Sequence, residues 1–86
     1  MPEISRFQGI IIKMFGREHN PPHLHAFQGK YEAMFNIETG ELIEGDFPTN
    51  KRILVTAWIL LRKKELKKNW NSLVKGAGFN KIEPLR

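Results

Sequence analysis

The sequence predicts an α+β fold, in which an antiparallel β-meander of three or four strands packs against two C-terminal helices. Up to about residue 47, β-branched and aromatic residues alternate between glycine-bearing turns, as half-buried strands require. Beyond that point the apolar residues recur at spacings of three and four, which is typical of one helix face. We therefore expect a single domain over residues 1–86, mainly β over 1–47, helical over 48–76 and extended over 77–86.

Short strands separated by turns account for the first half of the chain. Pro21 and Pro22 interrupt the extended chain because they supply no backbone N–H group. Gly29 and Gly40 mark two later turns, of which the first is a hairpin. A further short strand is allowed at the N-terminus. The expected strands are residues 7–15, 23–27, 31–37 and a short edge strand at 42–45.

The helical half contains two apolar stripes. Thr49 or Asn50 is the expected N-terminal cap of the first helix, and Gly76 and Gly78 end the second segment. The first stripe consists of Ile53, Leu54, Ala57, Trp58 and Leu61. The second consists of Leu66, Trp70, Leu73 and Val74. The residues expected opposite the second stripe are Lys64, Lys67, Lys68, Asn71 and Lys75. One bent helix and two separate helices both fit this pattern.

Charge is distributed unevenly along the chain. Four basic and seven acidic residues precede Asn50, whereas ten basic and two acidic residues follow from there. A basic half of this kind is typical of a protein that attracts nucleic acid or an acidic protein partner. Ordinary solvated lysines on a helix surface are the alternative. The candidate nucleic-acid or partner-binding residues are Lys63, Lys64, Lys67 and Lys68.

Several function classes are excluded by what the sequence lacks. No cysteine is present, which excludes disulfides, thiolate metal sites and cysteine nucleophiles and suits a cytoplasmic protein. The longest apolar runs are shorter than the roughly 20 residues that span a bilayer, so we expect no membrane association. No phosphate-binding glycine motif is present, which argues against motor or kinase chemistry.

The three histidines of the chain form a candidate functional cluster. His19, His23 and His25 are its only histidines and lie within seven residues of one another. In extended chain, side chains two residues apart point to the same face of a sheet, so His23 and His25 should lie together. The two prolines between His19 and His23 stiffen the segment and could hold His19 near the other rings. We therefore expect a preorganised cluster of imidazoles.

Three uses of this cluster are open from the residues alone. The first is general acid–base catalysis without a metal, because the unperturbed imidazole pKa of about 6.5 lies near neutrality. RNA cleavage needs one group that removes the 2′-hydroxyl proton and another that protonates the leaving 5′-oxygen. Arg17 and Lys30 could stabilise charge on the phosphate, and Tyr31 could donate a hydrogen bond beside the histidines. The candidate catalytic residues are His19, His23, His25, Arg17 and Tyr31.

The second use is a divalent transition-metal site. The three imidazoles would be ligands, with Glu18 or Glu32 as a fourth, since imidazole suits zinc, nickel, copper and iron. The third use is structural, with the imidazoles donating hydrogen bonds that tie the Pro-Pro segment to the sheet. The catalytic interpretation requires no cofactor, and the metal interpretation is its alternative.

The sequence also resembles a small bacterial family of domains of unknown function. The resemblance covers nearly the whole chain, and its specific part is the His-Asn-Pro-Pro-His-Leu-His-Ala run at residues 19–26. The other matching segments are residues 1–7, Tyr31-Glu-Ala, Ile43-Glu-Gly-Asp-Phe-Pro, Asn69-Trp70 and Lys81-Ile-Glu-Pro-Leu.

This resemblance implies a function. Members of the family are encoded beside a second small protein, and the pair is regarded as a candidate type II toxin–antitoxin module in which this domain is the toxin. The resemblance therefore implies a growth inhibitor that is neutralised by a cognate protein antitoxin. It implies no particular reaction, and ribonuclease action is the reaction that we expect from the acid–base residues. The histidines of the family's motif correspond to His19, His23 and His25 of this sequence. A non-catalytic nucleic-acid-binding or regulatory module is the alternative, and a homo-oligomer is allowed.

Overall fold

Five antiparallel strands form one sheet in chain order, and two helices follow it, in a computed structural model that describes residues 3–16 and 18–86. The predicted α+β class is therefore confirmed, with five strands rather than three or four. The strands are β1 (Glu3–Phe7), β2 (Ile10–Lys13), β3 (His23–Gln28), β4 (Tyr31–Asn36) and β5 (Leu42–Asp46). The helices are α1 (Thr49–Leu61) and α2 (Lys63–Val74).

The additional strand comes from a turn at Gln8 and Gly9. The strand predicted over residues 7–15 is shorter and covers residues 10–13, and β1 is the further N-terminal strand that the sequence allowed. Both turn residues between them have positive φ, at 50° and 79°. Two left-handed residues in succession reverse the chain, and Phe7 pairs with Ile10 across the turn. Glutamine is uncommon in this conformation, so residue types alone do not indicate a turn at this position.

The sheet has one face toward the core and one away from it. On the core face Leu24 is paired with Phe35, and Ala26 with Ala33. His25 is on the opposite face, where it is paired with Met34 of β4 and with Lys13 of β2. The largest fully buried side chains are Trp58, Phe35, Ile4, Ile10, Ile12, Met14, Leu24, Ile37, Ile59, Leu66 and Val55.

Helix α1 presents a different face from the predicted one. Val55, Trp58 and Ile59 are buried, whereas Ile53 and Leu61 are 63% and 70% exposed. Residues 53–61 are almost continuously apolar, so their spacing alone could not select the buried side. The predicted cap is also wrong, because Pro48 occupies the N-cap position and no side chain caps the helix.

Helix α2 is separated from α1 by Arg62, whose φ of −111° interrupts the helix. The two segments are therefore two helices. Leu66, Trp70 and Leu73 are buried as predicted, whereas Val74 is exposed. The predicted polar face, with Lys64, Lys67, Lys68, Asn71 and Lys75, is exposed to solvent. Neither helix of the described residues is long and apolar enough to cross a membrane.

Residues 77–86 contain no helix or strand and return to the core. Asn69 is 2% exposed, and its side chain both donates to the Asn80 carbonyl and accepts from the Asn80 N–H, at 2.8 and 2.9 Å. The Trp58 indole donates to the Glu83 carbonyl at 2.8 Å, and the buried Ile82 donates its N–H to Ile4. These contacts attach the C-terminal segment to α1, α2 and β1.

Replacing Asn69 with alanine should destabilise the domain by about 1–3 kcal/mol, because two hydrogen bonds of a buried amide are lost. Urea unfolding followed by tryptophan fluorescence measures the change. Asn71→Ala is the matched control, since Asn71 lies on the exposed side of the same helix and its loss should cost under about 0.5 kcal/mol. Equal destabilisation by the two variants would contradict this account of the C-terminal segment.

Candidate functional site

The candidate site joins two histidines of β3 to a glutamate of the preceding segment. The rings of His23 and His25 lie on the same side of the strand with their centroids 5.3 Å apart, as the alternation predicted. The Glu18 carboxylate approaches both rings: its Oε1 lies 2.7 Å from Nε2 of His25 and 3.4 Å from Nε2 of His23. Among the described residues, these three form the one group whose ligand atoms all lie within 4.8 Å of one another.

The hydrogen-bond partners fix which ring nitrogens carry protons. Nδ1 of His23 lies 2.8 Å from the Pro21 carbonyl, which only accepts, so this nitrogen is a donor. Nε2 of His25 likewise donates to the Glu18 carboxylate. The remaining nitrogens, Nε2 of His23 and Nδ1 of His25, are buried and have no hydrogen-bond partner. Each neutral imidazole therefore keeps one free lone pair.

The prolines hold this arrangement through their carbonyl groups. The Pro21 carbonyl accepts from the His23 ring, and the Pro22 carbonyl accepts the N–H of Ile37 at 3.0 Å. The Asn20–Pro21 peptide bond is cis. The segment that carries Glu18 is thus joined to the start of β3 and to the end of β4. The His23 bond is of the kind that the structural interpretation of the cluster predicted.

Aromatic side chains surround the two imidazoles. The Phe15 ring lies edge-on to the His25 ring, with the two ring centroids 4.9 Å apart. The centroids of the Trp70 ring of α2 and the His23 ring are 5.1 Å apart. The side chains of His23, His25 and Glu18 are 4%, 14% and 30% exposed, so solvent reaches the group mainly at the carboxylate. A shallow cavity of about 310 Å³ lies beside His25, with Glu32 and Glu44 in its lining.

Ionisation of Glu18 depends on the histidines. Partial burial opposes the charged form of this carboxyl, but the hydrogen bond from His25, the approach of the His23 ring at 3.4 Å and electrostatic attraction to both rings outweigh burial and lower its pKa. A carboxylate is therefore the form that the site stabilises.

Not every predicted site residue belongs to this group. His19 is exposed and lies outside it, because the chain between His19 and His23 does not return its ring to the other two. Tyr31 pairs with Gln28 on the neighbouring strand, but alternation places it on the core face, away from the histidines. Arg17 lies outside the described residues. The exposed Lys30 has its Nζ over the Tyr31 ring, at 5.7 Å from the centroid.

Glu18 is the member whose importance the sequence understated. It was expected only as one of two choices for a fourth metal ligand, with Glu32 as the other. Glu32 lines the cavity beside His25 but is not a member of the close group. The signal for Glu18 in the sequence was the position of this residue directly before the His-Asn-Pro-Pro-His run. A reversal of the chain at the prolines returns Glu18 toward β3.

The basic surface of α2 forms a second feature. Lys64, Lys67, Lys68 and Lys75 line a shallow groove of about 620 Å³. Lys67 is paired with Glu38 at 2.6 Å, and Lys63 is partly buried. On the buried side of the same helix, Trp70 contacts the His23 ring. One helix thus connects the basic groove with the histidine site.

The comparison with protein families concerns the part of the chain that contains the candidate site and most of α2. The family model described as a domain of unknown function, DUF4160, matches residues 9–71. The chain belongs to this family. No curated protein and no solved structure matches the chain significantly. The part matched as DUF4160 contains Glu18, His23, His25 and most of α2, so the candidate site and much of the basic groove belong to the DUF4160 domain itself.

Glu18 should make the stability of the domain sensitive to acid. Because its pKa is lower in the folded chain, its stabilising contribution is complete above the ordinary glutamate pKa of about 4.3 and is lost as the pH falls through the folded value. Urea unfolding between about pH 7 and pH 3 should show a smaller acid-induced loss of stability in Glu18→Gln than in the wild type. Glu41→Gln, at an exposed turn position, should keep the wild-type profile. An unchanged profile in Glu18→Gln would contradict the assignment.

Proposed function

We propose that this DUF4160 domain is the toxin of a type II toxin–antitoxin module, a growth inhibitor that a cognate protein antitoxin neutralises. Its functional centre is the group of Glu18, His23 and His25. The observation that carries the proposal is the approach of two imidazoles to one carboxylate, with a free lone pair left on each ring. The resemblance of the sequence to candidate toxins supports the biological role.

The reaction that we propose is metal-independent cleavage of RNA. Both free nitrogens are buried in the unbound chain, so RNA binding must first expose them. The Nδ1 of His25 then removes the proton of a 2′-hydroxyl, whose oxygen attacks the neighbouring phosphorus. His23, in its doubly protonated form, donates its Nε2 proton to the leaving 5′-oxygen as the P–O bond breaks. The products are a 2′,3′-cyclic phosphate and a free 5′-hydroxyl. The substrate supplies the nucleophile, so two imidazoles suffice for the proton transfers.

Glu18 and Pro21 orient these two groups. The carboxylate accepts from Nε2 of His25 at 2.7 Å, which fixes the ring and stabilises its positive charge once Nδ1 has taken the proton. The Pro21 carbonyl holds His23 through Nδ1 and so directs Nε2 toward Glu18 and His25. Both are positioning groups in this scheme.

The basic groove of α2 provides the attraction for RNA. No carboxylate of the described residues forms an ion pair with Lys64, Lys68 or Lys75, so these ammonium groups are available to phosphates. Lysines that neutralise phosphates release condensed counterions, which makes affinity fall with salt. The same groove would also attract an acidic segment of the antitoxin. A non-catalytic nucleic-acid-binding module is the second candidate, which this groove favours.

Changing His25 to glutamine should abolish growth inhibition on induced expression, because glutamine retains a polar side chain but cannot transfer the proton. His19→Gln is the matched control: His19 lies in the same segment but outside the site, so this variant should remain toxic. Purified wild type and His19→Gln should cleave RNA in the presence of EDTA, and His25→Gln should lose at least about 100-fold in rate.

Co-expression of the small protein encoded beside this one should restore growth and yield a complex that purifies intact. Circular dichroism distinguishes a folded, inactive His25→Gln protein from an unfolded one. Full toxicity of folded His25→Gln would remove the histidines from the mechanism. RNA binding without turnover by the wild type would favour the non-catalytic module.

Lys68→Gln should weaken binding to single-stranded RNA at low salt and reduce the slope of log affinity against log salt by about 0.7 if Lys68 neutralises one phosphate. Fluorescence anisotropy with a labelled oligonucleotide, repeated over a range of salt concentrations, measures both effects. Lys30→Gln removes the same charge from the β3–β4 turn and should leave the slope unchanged. Equal effects of the two variants would show that net charge, rather than the groove, attracts RNA.

A further inference from the structure

We propose that Glu18, His23 and His25 also form a binding site for a divalent transition-metal ion, zinc above all, and that the metal-bound form does not cleave RNA. The part of this inference that concerns cleavage rests on the proposed function, whereas the metal site itself does not. It would make metal availability a regulator of the same centre.

The ligand set is appropriate for such an ion. Two imidazole nitrogens and one carboxylate oxygen are ligands that zinc accepts, and three protein ligands leave a fourth position for water. Magnesium and calcium prefer ligand sets composed of oxygen, which disfavours them at a site with two imidazoles. The chain contains no cysteine, so no thiolate can shift the preference toward Cu(I).

Two of the three separations between the ligand atoms are close to those of a tetrahedral site, and all three are within 4.8 Å. Zinc bound at about 2.0–2.1 Å places its ligand atoms about 3.3 Å apart. Oε1 of Glu18 already lies 3.4 Å from Nε2 of His23, and it lies 2.7 Å from Nε2 of His25. The second separation must therefore increase by only about 0.6 Å, which a small rotation of a partly exposed carboxylate provides.

His23 is already oriented as a metal ligand. Metal-binding histidines usually donate their other ring N–H to a carbonyl or carboxylate, and Nδ1 of His23 donates in this way to Pro21. Its Nε2 is left buried and unpartnered, and it points toward Glu18. A buried polar atom without a partner is costly, and a bound ion would satisfy it. On binding, two coordinate bonds replace the hydrogen bond between His25 and Glu18, and the proton of His25 moves from Nε2 to Nδ1 by exchange with solvent, so that the ring stays neutral.

Metal binding and acid–base catalysis require the same atoms. A proton on Nε2 of His23 is what the proposed reaction delivers to the leaving oxygen, and this nitrogen cannot hold a proton and a metal ion together. Glu18 likewise cannot orient His25 through a hydrogen bond while Nε2 of that ring coordinates the ion. The two states of the site therefore exclude one another.

Isothermal titration of the chelator-treated full chain with zinc chloride tests the site without reference to activity. We expect one ion per chain and a higher melting temperature, with no comparable response to magnesium. Glu18→Gln and His25→Gln should weaken zinc affinity at least about 10-fold, whereas His19→Gln should not. His19 controls for adventitious binding by an exposed histidine in the same segment. X-ray absorption of the zinc-bound chain should show nitrogen and oxygen ligands at about 2.0–2.1 Å.

Absence of zinc binding, or an equal loss of affinity in His19→Gln, would overturn the site. Glu18→Gln and His25→Gln are preferred to a His23 variant, because His23 is buried and its loss threatens folding. The second arm compares RNA cleavage by the metal-free and zinc-bound chains, and cleavage should fall to background with zinc. Zinc binding to a protein that never cleaves RNA would support the metal site and refute the ribonuclease. Undiminished cleavage by the fully zinc-bound chain would refute the proposed regulation.

Discussion

The carbonyl groups of Pro21 and Pro22 hold the arrangement on which the rest of the site depends. One accepts the Nδ1–H of His23 and the other accepts the N–H of Ile37, so the segment before β3 is fixed to the first residue of β3 and to the residue that follows β4. Ordering a loop residue costs roughly 1–2 kcal/mol of backbone entropy. In this domain that cost is offset during folding, so Glu18 lies beside both imidazoles in the unbound chain.

The core residues and the imidazoles of the candidate site lie on opposite faces of the sheet. Leu24 and Ala26 face the core, while the imidazoles between and beside them lie on the other face. Aromatic rings nevertheless cover the imidazoles, with Phe15 at one and Trp70 at the other. Water is thereby limited at the ring nitrogens, and the interaction with the Glu18 carboxylate is stronger in a medium of lower dielectric constant.

Helix α2 connects three parts of the molecule. Trp70 contacts His23, Asn69 holds the C-terminal segment through Asn80, and the lysines of the opposite side form the basic groove. Its buried side therefore supports the candidate site and the fold together, while its exposed side is available to an anionic partner. One helix therefore contributes to the core, to the candidate site and to a charged surface.

The amino-acid sequence by itself determined the order of β and α structure, the shared face of His23 and His25, and the exposed lysines of α2. These follow from local periodicity, which depends on residues only a few positions apart. Tertiary structure decided the rest. It selected the buried face of α1, where the residues are apolar almost all round, and it placed Tyr31 on the core side of the sheet. It also brought Glu18 rather than His19 to the imidazoles, because that choice depends on how the Pro-Pro segment bonds to His23 and to Ile37.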